Sequence, residues 1–174
     1  MRMDQPILEL RSITKKYPGV VALDDVSLSF YRGEVHAIVG ENGAGKSTFI
    51  KVITGAIQPT KGEIWFEGKK LENNNPQKAL EMGISAIYQE LNLLKDLTVA
   101  ENIFYNRYIY KHGLIDYRAI EEESHKVLER LGVKIDPKTL VKNLSVGYQQ
   151  LVEIAKSLSR TVKVLILDEP SAPL

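Results

Sequence analysis

Gly40 Glu41 Asn42 Gly43 Ala44 Gly45 Lys46 Ser47 decides the reading of this chain. The run fits the phosphate-cradling pattern G-x-x-x-x-G-K-[ST] and follows an apolar segment, Val35 to Val39. Small residues at Gly40, Gly43, Ala44 and Gly45 let the backbone curl until successive N–H groups face an anion. A helix starting near Lys46 adds the positive end of its dipole. Lys46 then reaches the β and γ phosphates of a di- or triphosphate as a point charge, and the Ser47 hydroxyl offers a hard oxygen to Mg²⁺.

Composition bounds the rest. The chain has 174 residues, the length of one ordinary domain. Its formal net charge is +1 with the two signs interspersed, so no basic stripe points to nucleic acid as a partner. Cysteine is absent, which excludes disulfides and thiolate metal sites, and His36, His112 and His125 are too scattered to form a local metal-binding pair. No apolar run approaches the ~18 residues of a membrane span, and Met1 to Leu10 carries acids and a proline in place of a leader's apolar stretch. A soluble chain, not exported by a signal of its own, is expected.

Periodicity outlines an α/β fold. Ile7 to Ser12 and Val26 to Phe30 read as strands, and a turn at Arg32 Gly33 feeds a third, Glu34 to Val39. After the loop, Thr48 to Gly55 reads as a helix with Phe49, Ile50 and Ile53 on its apolar face and Gly55 as its stop. Glu63 to Phe66 is a strand with a tight tip at Glu67 Gly68; Pro76 to Met82 is a helix ended by Gly83; Ile84 to Tyr88 is a buried strand. From Gln89 the pattern turns helical. Tyr117 to Leu131 places Ile120, Val127, Leu128 and Leu131 on one stripe, with Glu122 and Lys126 paired on the wet face. Leu151, Ile154, Ala155 and Leu158 make a second stripe, and Val162 to Leu167 returns to a strand expected to be buried on both faces. The outline is a β-rich core, residues 1–89, a helical insertion, 90–160, and a return to the core at 161–174.

That last strand delivers Asp168 and Glu169 to its C-terminal edge, where open α/β sheets place ligand chemistry. Asp168 is expected to hold Mg²⁺ directly or through water, and Glu169 to orient and deprotonate an attacking water.

The phosphate loop, Tyr88 Gln89 Glu90, the run Leu144 Ser145 Val146 Gly147 Tyr148 Gln149 Gln150, and Leu165 Ile166 Leu167 Asp168 Glu169 Pro170 together resemble, in order and spacing, the ATPase of an ATP-binding-cassette (ABC) transporter. The wording at Tyr17 to Leu23, Gln89 to Leu93, Val99 to Phe104 and Val152 to Lys156 is similar to that of bacterial monosaccharide importers of the ribose, galactose and xylose type. The resemblance covers nearly the whole chain and implies a P-loop NTPase of the ABC ATPase type, with ATP and Mg²⁺ as ligands.

It also implies roles. Tyr17 stacks on adenine; Gly40, Glu41, Asn42, Gly43, Ala44, Gly45, Lys46, Ser47 and Thr48 hold the phosphates; Gln89 reaches the Mg²⁺ or the lytic water at the join with the insertion. Ser145 and Gly147 contact the γ-phosphate held by an opposing cassette, from the N-terminus of a helix Tyr148 to Leu158. Val146 and Tyr148 depart from the Gly and Gln of the commoner signature, Val146 as is usual in the sugar subgroup, and Ser171 replaces a Thr. The implied partners are membrane permease subunits, a second cassette and, indirectly, a periplasmic or lipid-anchored sugar-binding protein, at the cytoplasmic face of the membrane. Segments 92–96 and 98–105, with Leu93, Leu94, Ile103 and Phe104, are the expected exposed contact with the permease. Relatives continue past Leu174 with a partner-facing segment, a strand bearing a histidine and a second cassette, so the expectation is a truncated chain with a gap in its sheet. Two other readings stand beside the importer: a nucleotide-binding fragment without turnover, and a soluble non-transport ABC ATPase.

Overall fold

A computed structural model describes residues 5–88 and 91–168. The chain forms two compact units, Met1–Met82 and Gly83–Leu174, each of which is described by itself.

In the first unit, β1 (Leu8–Tyr17) and β2 (Val20–Phe30) form a long antiparallel hairpin, joined by the two-residue turn Pro18 Gly19. Pro pre-sets the first turn residue and Gly19 takes the positive φ of the second, 79°. β3 (Lys61–Phe66) pairs with the other edge of β1, and the short β4 (Lys69–Lys70) closes the order β2-β1-β3-β4. Leu8, Leu10, Ile13, Ile64 and Phe66 supply the sheet's buried face, and α1 (Lys46–Ile53) adds Phe49, Ile50, Val52 and Ile53 to this core. Gly55 stops α1 because the chain there takes φ 73° and a Cβ would stand 2.6 Å from the Asn75 backbone nitrogen. α2 (Pro76–Met82) follows with the bounds that the sequence predicts.

One predicted strand is corrected. Residues 34–39 join no ladder, and Val35 and Val39 are 100% and 91% exposed. A β-branched run becomes a strand only where a neighbour accepts its backbone hydrogen bonds, and among the described residues none pairs with it.

The second unit pairs β5 (Ile84–Ile87) with β8 (Val164–Leu167) in parallel, Ile84 opposite Val164 and Ile87 opposite Leu167. β8 is half-buried and its Leu167 exposed, so the expectation of burial on both faces is corrected: among the described residues β5 is its one neighbour. The helical part comprises α3 (Val99–Ile103), a hairpin of β6 (Tyr110–Lys111) and β7 (Leu114–Ile115), α4 (Tyr117–Arg130), a 3-10 turn (Val141–Asn143) and α5 (Val146–Leu158). Its core gathers Val99, Ile103, Phe104, Ile120, Leu128, Val141 and Val152.

Three further expectations change here. Ile103 and Phe104 lie in this core, packed with the helices, and are not free for a partner. On α5 the buried line is Gln149, Val152 and Ala155, while Leu151 and Ile154 are half-buried, because three neighbouring elements set which face turns inward. Lys126 pairs with Glu123 at 2.5 Å in place of Glu122, and Glu122 takes Arg118 at 3.0 Å. Arg107 ties α3 to the end of α5, donating to the Ile103 carbonyl at 3.0 Å and the Ser159 hydroxyl at 2.5 Å; burial pulls its pKa below the usual arginine value.

Candidate functional site

The phosphate loop leaves the exposed segment 34–39 and turns at Glu41, whose carbonyl accepts from the Ala44 amide at 3.1 Å. Gly45 occupies the N-cap of α1 at φ 88°, and a Cβ there would overlap the Ala22 carbonyl oxygen of β2. Only glycine satisfies both the left-handed backbone and the close approach. No side chain caps this helix and no acid stands in its first turn, so its leading N–H groups and dipole face the loop uncompensated. Lys46 folds back over the loop and donates to the carbonyls of Gly40 at 2.6 Å and Glu41 at 3.0 Å. Gly43 faces open space, Ser47 is exposed and Thr48 half-buried. The result is an exposed glycine-rich turn that brings a lysine ammonium beside an uncapped helix N-terminus, a combination that suits an anion.

Tyr17 lies at the same end of the β1–β2 hairpin. Its Cα partner is Val20, two residues from the Ala22 carbonyl that abuts Gly45, a separation of about 7 Å along a strand. The ring is 43% exposed, with the Lys15 ammonium 5.2 Å from its centroid. It is an exposed aromatic side chain with a lysine ammonium over its ring, and not a core residue.

In the second unit, the Asp168 amide extends the β5–β8 ladder by donating to the Ile87 carbonyl at 2.9 Å, which sets its carboxylate at the C-terminal edge. Gln89 and Glu169 lie outside the described residues. Ser145 is the N-cap of α5 with extended backbone, yet its side chain makes no capping hydrogen bond and it is exposed. Gly147 is half-buried, and Val146 and Tyr148 are exposed, so the Tyr148 ring is not consumed by the core.

Sequence reasoning missed the residues that hold this end in place. Gln149 is buried and donates to the carbonyls of Val141 at 3.3 Å and Leu144 at 2.9 Å, pinning the turn before Ser145. Asn102, 1% exposed, exchanges hydrogen bonds with both backbone groups of Leu94. An amide in the middle of an apolar helical run was the available signal. So was Thr98-x-x-Glu101, which forms a full capping box on α3. Among the described residues no three His, Cys, Asp or Glu side chains gather as metal ligands. Two grooves of about 550 and 740 Å³ flank α4 at His125, Asp136 and Pro137, and contain none of the predicted site residues.

A glycine-rich turn at a helix N-terminus, carrying a lysine over it and set against an antiparallel sheet, defines a P-loop nucleotide-binding domain. Comparison with known proteins narrows the class: the ABC transporter family matches residues 23–172, and the chain belongs to it. It is 50% identical over 170 residues to a ribose import ATP-binding protein of Rubrobacter xylanophilus, covering 98% of this chain and 34% of that one. A xylose import ATP-binding protein of Geobacillus kaustophilus is 47% identical over 174 residues, and an arabinose import ATP-binding protein of Pectobacterium atrosepticum 44%. The chain thus spans about one third of the length of these relatives. Among solved structures it is similar to a nucleotide-free ATP-binding cassette from an ABC transporter, with a TM-score of 0.82 and 32% identity over 98% of this chain and 71% of that one. It is also similar to a cassette in a dimeric post-hydrolysis state bound to ADP and Pi, with a TM-score of 0.78 and 26% identity over 96% and 75%. The fold is the α/β ABC ATPase type. No helix among the described residues is long and apolar enough to cross a membrane.

Proposed function

We propose that this chain is the nucleotide-binding part of the ATP-binding subunit of a bacterial sugar importer, coupling Mg-ATP binding and hydrolysis to monosaccharide uptake. The observation that carries the reading is Lys46, held over the loop by the Gly40 and Glu41 carbonyls and next to the uncapped start of α1. Tyr17 stacks on the adenine, Gly40 to Thr48 bind the phosphates, and Lys46 supports charge on the transferring group. Mg²⁺ is a hard cation that takes a few protein oxygens beside phosphates and water, and the Ser47 hydroxyl and the Asp168 carboxylate are each of the type that would serve as one of them. When bound, the ion neutralises phosphate charge. Glu169 orients and deprotonates the lytic water, and Ser145 and Gly147 serve the γ-phosphate of a second cassette.

The working division is a core at 1–89, a helical subdomain at 90–160 and a return strand at 161–174. The subunit sits at the cytoplasmic face of the membrane against permease subunits that receive sugar from a separate binding protein. The import proteins named above and the dimeric cassette support this assembly. The test is Glu169→Gln in an intact ATPase carrying this cassette. It should bind Mg-ATP and lose turnover by about 100-fold or more; turnover at the wild-type rate would remove Glu169 from the mechanism.

A further inference from the structure

The end of β1 is fixed residue by residue to the turn that follows α1. The Thr60 amide donates to the Thr14 carbonyl at 2.7 Å, and the Lys16 amide donates to the Thr60 hydroxyl at 3.0 Å. Between them the Lys15 ammonium donates to the Gln58 carbonyl at 2.8 Å. That turn is held to α1 in its own right. The Ile57 amide donates to the Lys51 carbonyl at 3.1 Å, and the Gln58 side chain donates to the carbonyl of Asn74, whose side chain in turn donates to the Ile53 carbonyl at 2.9 Å. The Lys15 ammonium therefore stands at a place set by the last turn of α1, the helix that begins at the phosphate loop.

A lysine is a demanding choice for a tie. Its long side chain loses rotamer freedom when it is fixed, and its one hydrogen bond goes to a neutral carbonyl, with no carboxylate beside its charge among the described residues. What the charge does meet is the Tyr17 ring, whose centroid lies 5.2 Å from the ammonium. The negative face of a π-system attracts a cation, and a ring with a cation over one face keeps the other for a second flat group. Tyr17 lies outside the core, and among the described residues Lys15 is the one charged group over its ring.

We propose that Lys15 is a positioning residue for nucleotide binding: its ammonium holds the Tyr17 ring by one face, at a place set by α1, and so presents the opposite face to the adenine base. The hold restricts the rotation of an exposed side chain and confines stacking to one side of it. Because Lys15 is referred to α1 through Gln58, the stacking ring keeps a fixed relation to the helix that carries Lys46. The inference rests on the reading of Tyr17 as the adenine-stacking residue.

The test is a double-mutant cycle on Mg-ATP affinity in an intact ATPase carrying this cassette, with Tyr17→Ala, Lys15→Gln and the two combined, and with Lys15→Arg beside them; folding of each is checked by circular dichroism. Lys15→Gln removes the charge and keeps an N–H donor, and should weaken Mg-ATP binding about two- to fivefold. Tyr17→Ala should weaken it about fivefold or more. In the Tyr17→Ala background Lys15→Gln should bring no further loss, because the ammonium has no ring to hold. Lys15→Arg keeps a cation and should bind as wild type does. Mg-tripolyphosphate, which has no base, should compete equally well in every variant. Wild-type affinity for Mg-ATP in Lys15→Gln beside a weakened Tyr17→Ala would overturn the proposal and leave the Tyr17 reading intact. So would an equal loss in both backgrounds or a parallel loss of tripolyphosphate binding, which would make Lys15 a structural tie, and so would tighter binding, which would put the ammonium on the face that the base needs. Wild-type affinity in Tyr17→Ala would instead remove the reading on which the proposal rests.

Discussion

The Lys46 ammonium lies 2.6 Å from the carbonyl oxygen of Gly40, six residues back along the chain, so the cation is already folded over the loop it serves. A long lysine side chain loses rotamer entropy when it is fixed, and here the carbonyls of Gly40 and Glu41 hold it in place. The geometry makes the loop and Lys46 one unit, and changes on either side of it should be felt as lost nucleotide binding.

Gly45→Ala is the sharpest probe of the loop's backbone. At φ 88°, with the Ala22 carbonyl oxygen where a Cβ would stand, an added methyl is opposed by both backbone strain and overlap. The left-handed conformation alone costs an L-residue about 1–2 kcal/mol. Denaturant unfolding should show a loss of at least that size, and Mg-ATP affinity should fall with it.

Ile103 and Leu94 separate packing from partner contact. Ile103 is 0% exposed in the helical core, so Ile103→Ala should cost about 2–5 kcal/mol in unfolding free energy. Leu94 is exposed, and Leu94→Ala should fall within about 0.5 kcal/mol of wild type. With Ile103 and Phe104 committed to the core and Leu93 packed against it, Leu94 is the exposed apolar member of that group left for a permease contact. A cysteine at Leu94 should cross-link to the permease in an assembled importer, and one at Phe104 should not.

Glu153 predicts a pH dependence of defined sign. Its folded pKa is raised by burial above the ordinary value of 4.5, an effect that the Lys156 charge and the Asn92 amide only partly offset. The folded state therefore holds this proton more tightly than the unfolded state, and stability falls as pH rises from the unfolded value through the raised one. Glu153→Gln has no such titration. The stability of wild type relative to this variant should decline as pH increases above about 4.5 and level off once Glu153 is ionised in the fold; a difference that is flat, or that grows with pH, would contradict the assignment.

Much of this was legible in the residues because local rules and tertiary context agree. The phosphate loop, the Gly55 stop, the Pro76–Met82 helix and the α4 stripe depend on glycine, proline and 3.6-residue periodicity, which act within a few residues. What was not legible depends on partners far away in sequence. Residues 34–39 carry strand composition and meet no neighbouring strand among the described residues, and nothing local announces that. The apolar side chains of Ile103 and Phe104 suited a contact surface or a core equally, and only the packing of α3 with α4 and α5 decides for the core. Asn102, Gln149 and the Glu153–Lys156 pair act on backbone groups 4 to 64 residues away, which polarity alone does not reveal.

The central claim, that residues 40–48 with Lys46 form the phosphate site, is tested most directly by isothermal calorimetry of Mg-ATP and Mg-ADP binding to wild type and Lys46→Ala. Charge-assisted hydrogen bonds of this kind contribute about 1.5–3 kcal/mol, so the variant should bind on the order of 10- to 100-fold more weakly while remaining folded by circular dichroism. Equal affinity in the two proteins, or no saturable binding to the folded wild type, would contradict the account.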